Sequence, residues 1–202
     1  MPQTRRPRPI IAPKLHHATF LTLKLDEMVT WYETVCGLTP VHYSDGAAWL
    51  TNDEANHRIA LIAHPKTKRP TDKPTSAGLH HTAFEYVEFD QWLDNYVRLR
   101  EEGIVPFMSL DHGVTMSMYY ADPEGNGVEI QVDAFGDWGQ SKEWMWASRE
   151  FSENPIGVFF EPDKLVEARE QGVPKDEIHD NARAGKYVPE NPPADVLLPE
   201  VY

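Results

Sequence analysis

The sequence carries the hexapeptide Leu-His-His-Ala-Thr-Phe at residues 15–20 and a near copy, Leu-His-His-Thr-Ala-Phe, at residues 79–84. Internal repetition of this kind indicates two copies of one supersecondary unit. Each hexapeptide has the length and composition of a short β-strand, in which neighbouring side chains point to opposite faces. One histidine of each pair is therefore predicted to face a cleft shared by the two copies.

A helix is predicted after each hexapeptide. Apolar residues recur at helical spacing between Asp26 and Gly37, and again between Asp90 and Gly103. Aspartate is a favoured helix N-cap, and glycine is favoured just after a helix, where the backbone turns left-handed. We therefore expect the two aspartates to begin these helices and the two glycines to end them.

Three short apolar runs follow each predicted helix, separated by turn residues such as those at 44–46 and 122–127. These runs cover residues 38–43, 47–50 and 58–63 in the first half and 104–110, 114–121 and 128–132 in the second. Each half is thus a βαβββ module, at about 14–65 and about 78–133, and the fold class is α+β. A single module is too small to bury its sheet, so the two modules are predicted to pack as one unit.

We predict a catalytic domain over residues 14–135, preceded by a disordered arm at 1–13. The two modules are joined by a proline-containing linker at 66–77. Residues 136–202 are predicted to form a C-terminal extension with short helical and proline-rich extended parts.

The extension divides into three kinds of sequence. Short helices are predicted at 162–171 and 174–184, and an extended proline-rich tail from residue 186 onward. An aromatic stretch with Trp138, Trp144, Trp146 and Phe151 is predicted to be irregular. We expect those aromatic side chains to pack near the open side of the cleft.

Charge and composition exclude several classes of protein. The 202 residues include 19 Lys and Arg against 32 Asp and Glu, a formal net charge of −13, which disfavours binding to nucleic acid. No apolar run has the length of a membrane span. The single cysteine, Cys36, has no partner for an internal disulfide, and no export signal precedes the first module. A cytoplasmic location is therefore predicted. The aromatic and proline-rich extension leads us to expect a homo-oligomer.

A carboxylate in the second module offers a third ligand beside the two histidines. Glu129 lies between Val128 and Ile130 in an apolar run, where an ionised side chain is costly unless it is paired or coordinates a metal. Two histidines and one carboxylate form the ligand set of non-haem Fe(II) oxygenases.

The doubled module, the paired Leu-His-His strands and the Asp-Pro-Glu-Gly-Asn turn at 122–126 resemble the vicinal oxygen chelate superfamily. Within it the chain is most similar to single-domain type I extradiol catechol dioxygenases, over about residues 15–133. The resemblance implies that His17, His81 and Glu129 bind Fe(II), while Mn(II) takes the same ligands. It also implies that the substrates are a catechol-type aromatic diol and O2.

The resemblance implies roles for three further residues. His57 resembles the family histidine beside the substrate, and Tyr119 resembles the tyrosine that hydrogen-bonds a catechol oxygen. His112, in the Asp-His-Gly sequence at 111–113, resembles the histidine that faces the oxygen site. The implied reaction opens the aromatic ring beside the two hydroxyls and keeps both oxygen atoms in the product.

Other functions remain open for the same fold. A glyoxalase-like metal-dependent isomerase or lyase needs a fourth ligand, usually a glutamate on the last strand of the first module. Between His57 and Ser76 the sequence has no glutamate, and its one acidic residue is Asp72. A 2-oxoacid-dependent dioxygenase shares the three ligands but is normally much longer, and a non-enzymatic drug-binding protein needs no such ligands.

Overall fold

The computed structural model describes residues 12–69, 71 and 77–193. Over these residues the chain forms nine strands and six helices. Most of the predicted N-terminal arm, much of the linker and the end of the proline-rich tail lie outside the described residues.

The first module has the predicted order of elements. They are β1 (Ala18–Thr22), α1 (Leu25–Cys36), β2 (Thr39–Ser44), β3 (Ala47–Thr51) and β4 (Ile59–Ala63). The strands lie in the order β1-β4-β3-β2, and β1 runs parallel to β4. The first strand therefore lies beside the last strand of its own module, and this pairing brings residues 16–18 close to residues 57–59.

The second module repeats the first. Its elements are β5 (His81–Tyr86), α2 (Phe89–Glu101), β6 (Met108–Asp111), β7 (Thr115–Ala121) and β8 (Gly127–Asp133). Its strand order, β5-β8-β7-β6, matches that of the first sheet. The strand predicted at 104–110 begins later, at Met108, because Pro106 has no N–H for the ladder. The predicted α+β architecture with two βαβββ modules is confirmed.

The predicted helix starts are wrong by two residues. The N-caps are Lys24 and Glu88, and Asp26 and Asp90 lie inside the first turns. A carboxylate in the first turn still stabilises a helix, because it interacts favourably with the partial positive charge of the N-terminal amides. The predicted end of α1 is confirmed, since Gly37 adopts a left-handed conformation with φ 64°.

One hydrophobic core joins the two modules. Met28 and Tyr32 of α1 belong to the same buried cluster as Val128 and Ile130 of β8. The Tyr32 hydroxyl also donates a hydrogen bond to Asp122 Oδ2 at 3.3 Å, in the turn before β8. The first module thus supports the turn that leads into β8, the strand that carries Glu129.

The C-terminal extension contains more regular structure than the sequence predicts. Its elements are α3 (Trp138–Ala147), α4 (Arg149–Glu153), β9 (Val158–Phe159), α5 (Pro162–Glu170) and α6 (Lys175–Arg183). The predictions of α5 and α6 are confirmed. The prediction of an irregular aromatic stretch is wrong, because the Asp137 side chain caps α3 by accepting hydrogen bonds from the amides of Gly139 and Gln140.

The extension completes the main core through apolar side chains. Those that belong to the cluster shared with the two modules are Phe160, Leu165, Val166, Ala168, Ile178 and Ala182. By contrast, Trp146 is 91% exposed, so the prediction that it packs near the cleft is wrong. Trp138 is 72% exposed and contacts the body through a hydrogen bond to Glu85. None of the helices within the described ranges has the length and apolar character that a membrane crossing requires.

We expect Leu165→Ala to lower the free energy of unfolding by about 2–5 kcal/mol, because it opens a cavity where the side chain is fully buried. Trp146→Ala is the matched control and should change it by less than about 0.5 kcal/mol. Urea unfolding measures both.

A chain truncated after Ala134 should fail to unfold cooperatively, and a truncated chain with an unchanged midpoint would contradict this account of the core.

Candidate active site

Glu129 is a buried carboxylate that contacts side chains from the two strands next to it. It lies on β8 with 5% of its surface exposed, and its register partners are Ala83 on β5 and Tyr119 on β7. Residues directly opposite in neighbouring strands share a face of the sheet. Accordingly, Tyr119 donates a hydrogen bond to Glu129 Oε1 at 3.1 Å, and His81 Nε2 lies 2.9 Å from Oε2.

The carboxyl group of Glu129 is held in its ionised form. Burial raises its pKa, but interactions with His81, Ser117 and His112 outweigh burial, and the net pKa lies below its ordinary value. Ser117 is fully buried on β7, where it helps to lower the pKa of Glu129, and its hydroxyl donates a hydrogen bond to Thr115 Oγ1 at 3.3 Å. Sequence reasoning missed Ser117, although its position two residues before Tyr119 places both on one face of the strand.

Tyr119 connects Glu129 to His112. Its hydroxyl lies 2.8 Å from His112 Nε2, and its ring centroid is 5.4 Å from that of His81. Burial, together with the neighbouring Glu129, raises the pKa of Tyr119 far above its usual range, so the hydroxyl keeps its proton. That single proton can be donated to Glu129 or to His112 but not to both at once.

His112 lies in the short loop between β6 and β7. Its backbone amide donates to the Thr115 carbonyl at 2.9 Å, and the backbone of Ile156 in the extension is near enough to its imidazole to affect its pKa. Burial lowers the pKa of His112 below its ordinary value, while Glu129, Ile156 and Asp111 oppose that shift. The imidazole is therefore neutral at pH 7, with one nitrogen free to accept a proton.

A second group of imidazoles surrounds the start of β1. His17 Nδ1 lies 3.0 Å from His16 Nδ1, and the rings of His17 and His57 are 4.3 Å apart. Within the described ranges, the group of three potential ligands whose donor atoms all lie within 4.8 Å of one another is His16, His17 and His57. Partial burial and the two neighbouring imidazoles lower the pKa of His57.

A cavity of about 570 Å³ lies between the first strands of the two modules. It is lined by Leu15, His16, His17, Ala18, Asn52, Asp53, Arg58, Ile59, Leu79, His81, Thr82, Ala83, Phe84 and Glu85. The cavity therefore brings together the predicted histidines His17 and His81, one from each repeat. At its margin, Trp138 Nε1 donates a hydrogen bond to Glu85 Oε1 at 2.8 Å.

The predicted site residues thus fall into two neighbouring groups. His81, Glu129, Tyr119 and His112 form one continuous row of contacts. His17 and His57 form the second group, across the cavity, and His17 is not gathered with His81 and Glu129 into one set of ligand atoms.

Sequence reasoning also missed Arg58, which fixes the histidine-bearing segment. Its guanidinium donates to the His16 carbonyl at 2.9 Å and pairs with Asp53 at 2.7 Å. The sequence offered one signal for Arg58, namely its position directly after His57 at the start of a predicted strand.

The donor set around Glu129 fits a divalent metal ion. Glu129 and His81 already contact each other through a carboxylate oxygen and Nε2, which are the donor atoms that such ions take from these residues. His17 is exposed and, like His81, lines the cavity, so it is the candidate for a third donor from the first module.

Comparisons with known proteins identify relatives that match over most of the chain. Biphenyl-2,3-diol 1,2-dioxygenase 3 of Rhodococcus globerulus is 39% identical over 87% of this chain and 92% of its own length. Biphenyl-2,3-diol 1,2-dioxygenase 2 of the same organism is 37% identical over 92% of this chain and 97% of its own length.

A solved structure supports the fold alone. The structure described as lactoylglutathione lyase from Agrobacterium tumefaciens has a TM-score of 0.51 and 18% identity, over 64% of this chain and 98% of that one. Residues 14–130 match the model of the Glyoxalase/Bleomycin resistance protein/Dioxygenase superfamily. This range contains the first module, all of the second except the last three residues of β8, and every site residue predicted from the sequence. The chain belongs to that superfamily.

Proposed function

We propose that this chain is an extradiol dioxygenase, which cleaves the ring of a catechol-type aromatic diol beside the two hydroxyls and incorporates both atoms of O2. The observation that carries the proposal is the row of contacts His81, Glu129, Tyr119 and His112, which meets the cavity at His81. The row combines metal-binding atoms with a hydroxyl donor and a neutral imidazole. Relatives at 37–39% identity over most of the chain carry the name of this activity.

The related dioxygenases imply a catalytic metal, and we propose Fe(II) held by His17, His81 and Glu129, ligands that Mn(II) also takes. When bound, Fe(II) supplies the electrons that activate O2 and holds the two reactants next to each other. Glu129 is suited to this role because it is ionised and buried, and so favours a cation beside it.

His57 and Tyr119 bind and orient the catechol in this proposal. The lowered pKa of His57 leaves its imidazole neutral at pH 7, so it can accept the proton of one catechol hydroxyl. The raised pKa of Tyr119 keeps its hydroxyl protonated, so it can donate a hydrogen bond to the resulting oxyanion. On substrate binding, this donation replaces the one that Tyr119 makes to Glu129.

His112 is positioned to exchange a proton with the Tyr119 hydroxyl in this proposal. It is neutral at pH 7, and Nε2 lies within hydrogen-bond distance of the Tyr119 hydroxyl. It can therefore take a proton through Tyr119 and return it to a reaction oxygen later. Behind it, Ile156 and Phe159 of the extension pack on Met108, Leu110 and Tyr119 and exclude water from that side.

A four-ligand lyase site is less supported. The last strand of the first module, β4, has the sequence Ile-Ala-Leu-Ile-Ala and therefore offers no carboxylate. A drug-binding protein would have no need of a buried, ionised Glu129 contacted by His81 and Tyr119.

The direct test is anaerobic loading with Fe(II), followed by a panel of monocyclic and bicyclic catechols in air. We expect a yellow ring-opened product and uptake of one O2 per diol. Isomerisation of a 2-oxoaldehyde thiol adduct without uptake of O2 would instead favour the lyase.

Metal content tests the ligand set. His17→Ala, His81→Ala and Glu129→Ala should each lose the single tightly bound divalent ion, because each removes one of three donors. His16→Ala and His80→Ala are the matched controls and should keep the ion. Loss of the ion in His16→Ala and not in Glu129→Ala would place the metal among His16, His17 and His57 and would overturn the proposed set.

Turnover tests the role of His112. His112→Phe should keep metal and catechol binding and lower kcat on the order of 10²–10⁴, the usual effect of removing a positioned acid–base group. Steady-state kinetics and the dissociation constant for catechol under anaerobic conditions separate the two effects. Near-normal turnover in His112→Phe would remove this residue from the mechanism.

The lowered pKa of His112 predicts a pH-dependent stability. The unfolded chain takes up a proton at His112 near its ordinary pKa of about 6.5, while the folded chain resists that proton to lower pH. This contribution to stability is therefore complete above that pH and is lost as the pH falls below it. Between about pH 7.5 and about pH 5.5, the metal-free parent should lose more stability to urea than His112→Phe does. An equal loss would contradict the assignment.

A further inference from the structure

The C-terminal extension surrounds the loop that carries His112. On one side, the ring of Trp144 lies so close to Gly113 that a Cβ there would be 2.5 Å from Cη2. On another side, a Cβ on Gly157 would be 1.8 Å from the Asp111 carbonyl oxygen. Residues 158–159 then pair with β6, which ends at Asp111. The loop and the end of β6 are therefore in contact with the extension at three points, one on α3 and two along residues 157–159.

The fourth contact is a buried polar pair. His179 of α6 has its Nε2 3.2 Å from Asp111 Oδ1, and the Asp111 side chain has no exposed surface. The same oxygen accepts a hydrogen bond from the Gly113 amide at 2.8 Å. Among the described residues, the other oxygen, Asp111 Oδ2, is buried and has no hydrogen-bond partner. His179 Nε2 is buried as well, and its contact with Asp111 Oδ1 does not have the geometry of a hydrogen bond. His179 is thus in polar contact with Asp111, the last residue of β6, and Asp111 in turn binds the amide of Gly113 in the loop that follows.

Helix α6 does not need this pair in order to dock. Its neighbouring side chains Ile178 and Ala182 are fully buried in the main core and bind the helix to the body. A buried pair of this kind contributes little net stability compared with apolar side chains of the same size, since both groups lose their hydration. What the pair provides is a fixed position for Asp111, and through the Gly113 amide a fixed conformation of the loop.

We propose that His179 is a positioning residue of the active site. Through Asp111 it fixes the segment 111–113, so that His112 Nε2 lies within hydrogen-bond distance of the Tyr119 hydroxyl. The inference rests on the proposed function for its kinetic consequence, but its structural half is independent of activity. It assigns the C-terminal extension a part in catalysis that the sequence of α6 does not reveal.

The test compares three single variants in the full chain. His179→Ala removes the contact to Asp111, while His179→Gln keeps an N–H donor near the position of Nε2 and should rescue it. Ile178→Val is the matched control, because it trims a buried side chain on the same helix and leaves the pair intact.

The first readout is hydrogen exchange of the Gly113 amide, followed by NMR in the metal-free chain. His179→Ala should raise its exchange rate on the order of ten-fold or more, because its acceptor is no longer fixed. His179→Gln and Ile178→Val should leave the rate close to that of the parent. An unchanged rate in His179→Ala overturns the proposal, even if no catechol is found to react.

The second readout is a double-mutant cycle in the Fe(II)-loaded chain. His179→Ala should lower kcat on the order of 10- to 100-fold and change KM for catechol by no more than about two-fold. In the His112→Phe background, the same substitution should change kcat by no more than about two-fold, because its target is gone. Equal effects in the two backgrounds would show that His179 does not act through His112 and would overturn the proposal. A parent chain that cleaves no catechol would instead refute the proposed function, and the exchange measurement would still decide the positioning role.

Discussion

The burial of the Glu129 carboxylate is the constraint on which the rest of the site depends. An ionised group inside a sheet must be paired, hydrogen-bonded or bound to a cation. Here its partners come from both neighbouring strands, His81 on one side and Tyr119 and Ser117 on the other. Because strand register fixes all of these positions, the sheet determines the geometry of the site. A bound cation would take the place of the His81 imidazole next to the negative charge of Glu129, which is already present.

The repeat explains why the site is asymmetric. Both modules have the same strand order, and in both a Leu-His-His sequence leads into the strand that pairs with the last one. Only the second module has a carboxylate on that last strand, at Glu129, because β4 of the first is entirely apolar. The first module therefore contributes imidazoles around the cavity, and the second contributes the anion and the acid–base groups. The extension packs on the second module, where it contacts the loop of His112.

The sequence predicted the modules well because hydrophobic periodicity and turn residues are local signals. The C-terminal extension was harder. Helix α3 was missed because its apolar residues, Trp144 and Met145 among them, are spread around the helix, and its one buried residue is Ser141. Neither Ser117 nor His179 stood out, since a serine in a strand and a histidine in a polar helix have no distinctive neighbours. Their roles come from strand register and from the docking of α6, both of which are long-range properties of the fold.

The most direct test of the central claim is an anomalous diffraction map at the iron edge, from crystals of the Fe(II)-loaded chain grown without oxygen. The account predicts one iron peak, bound by His81 and Glu129 together with His17 across the cavity. A peak among His16, His17 and His57, with Glu129 still bonded to His81 and Tyr119, would contradict it.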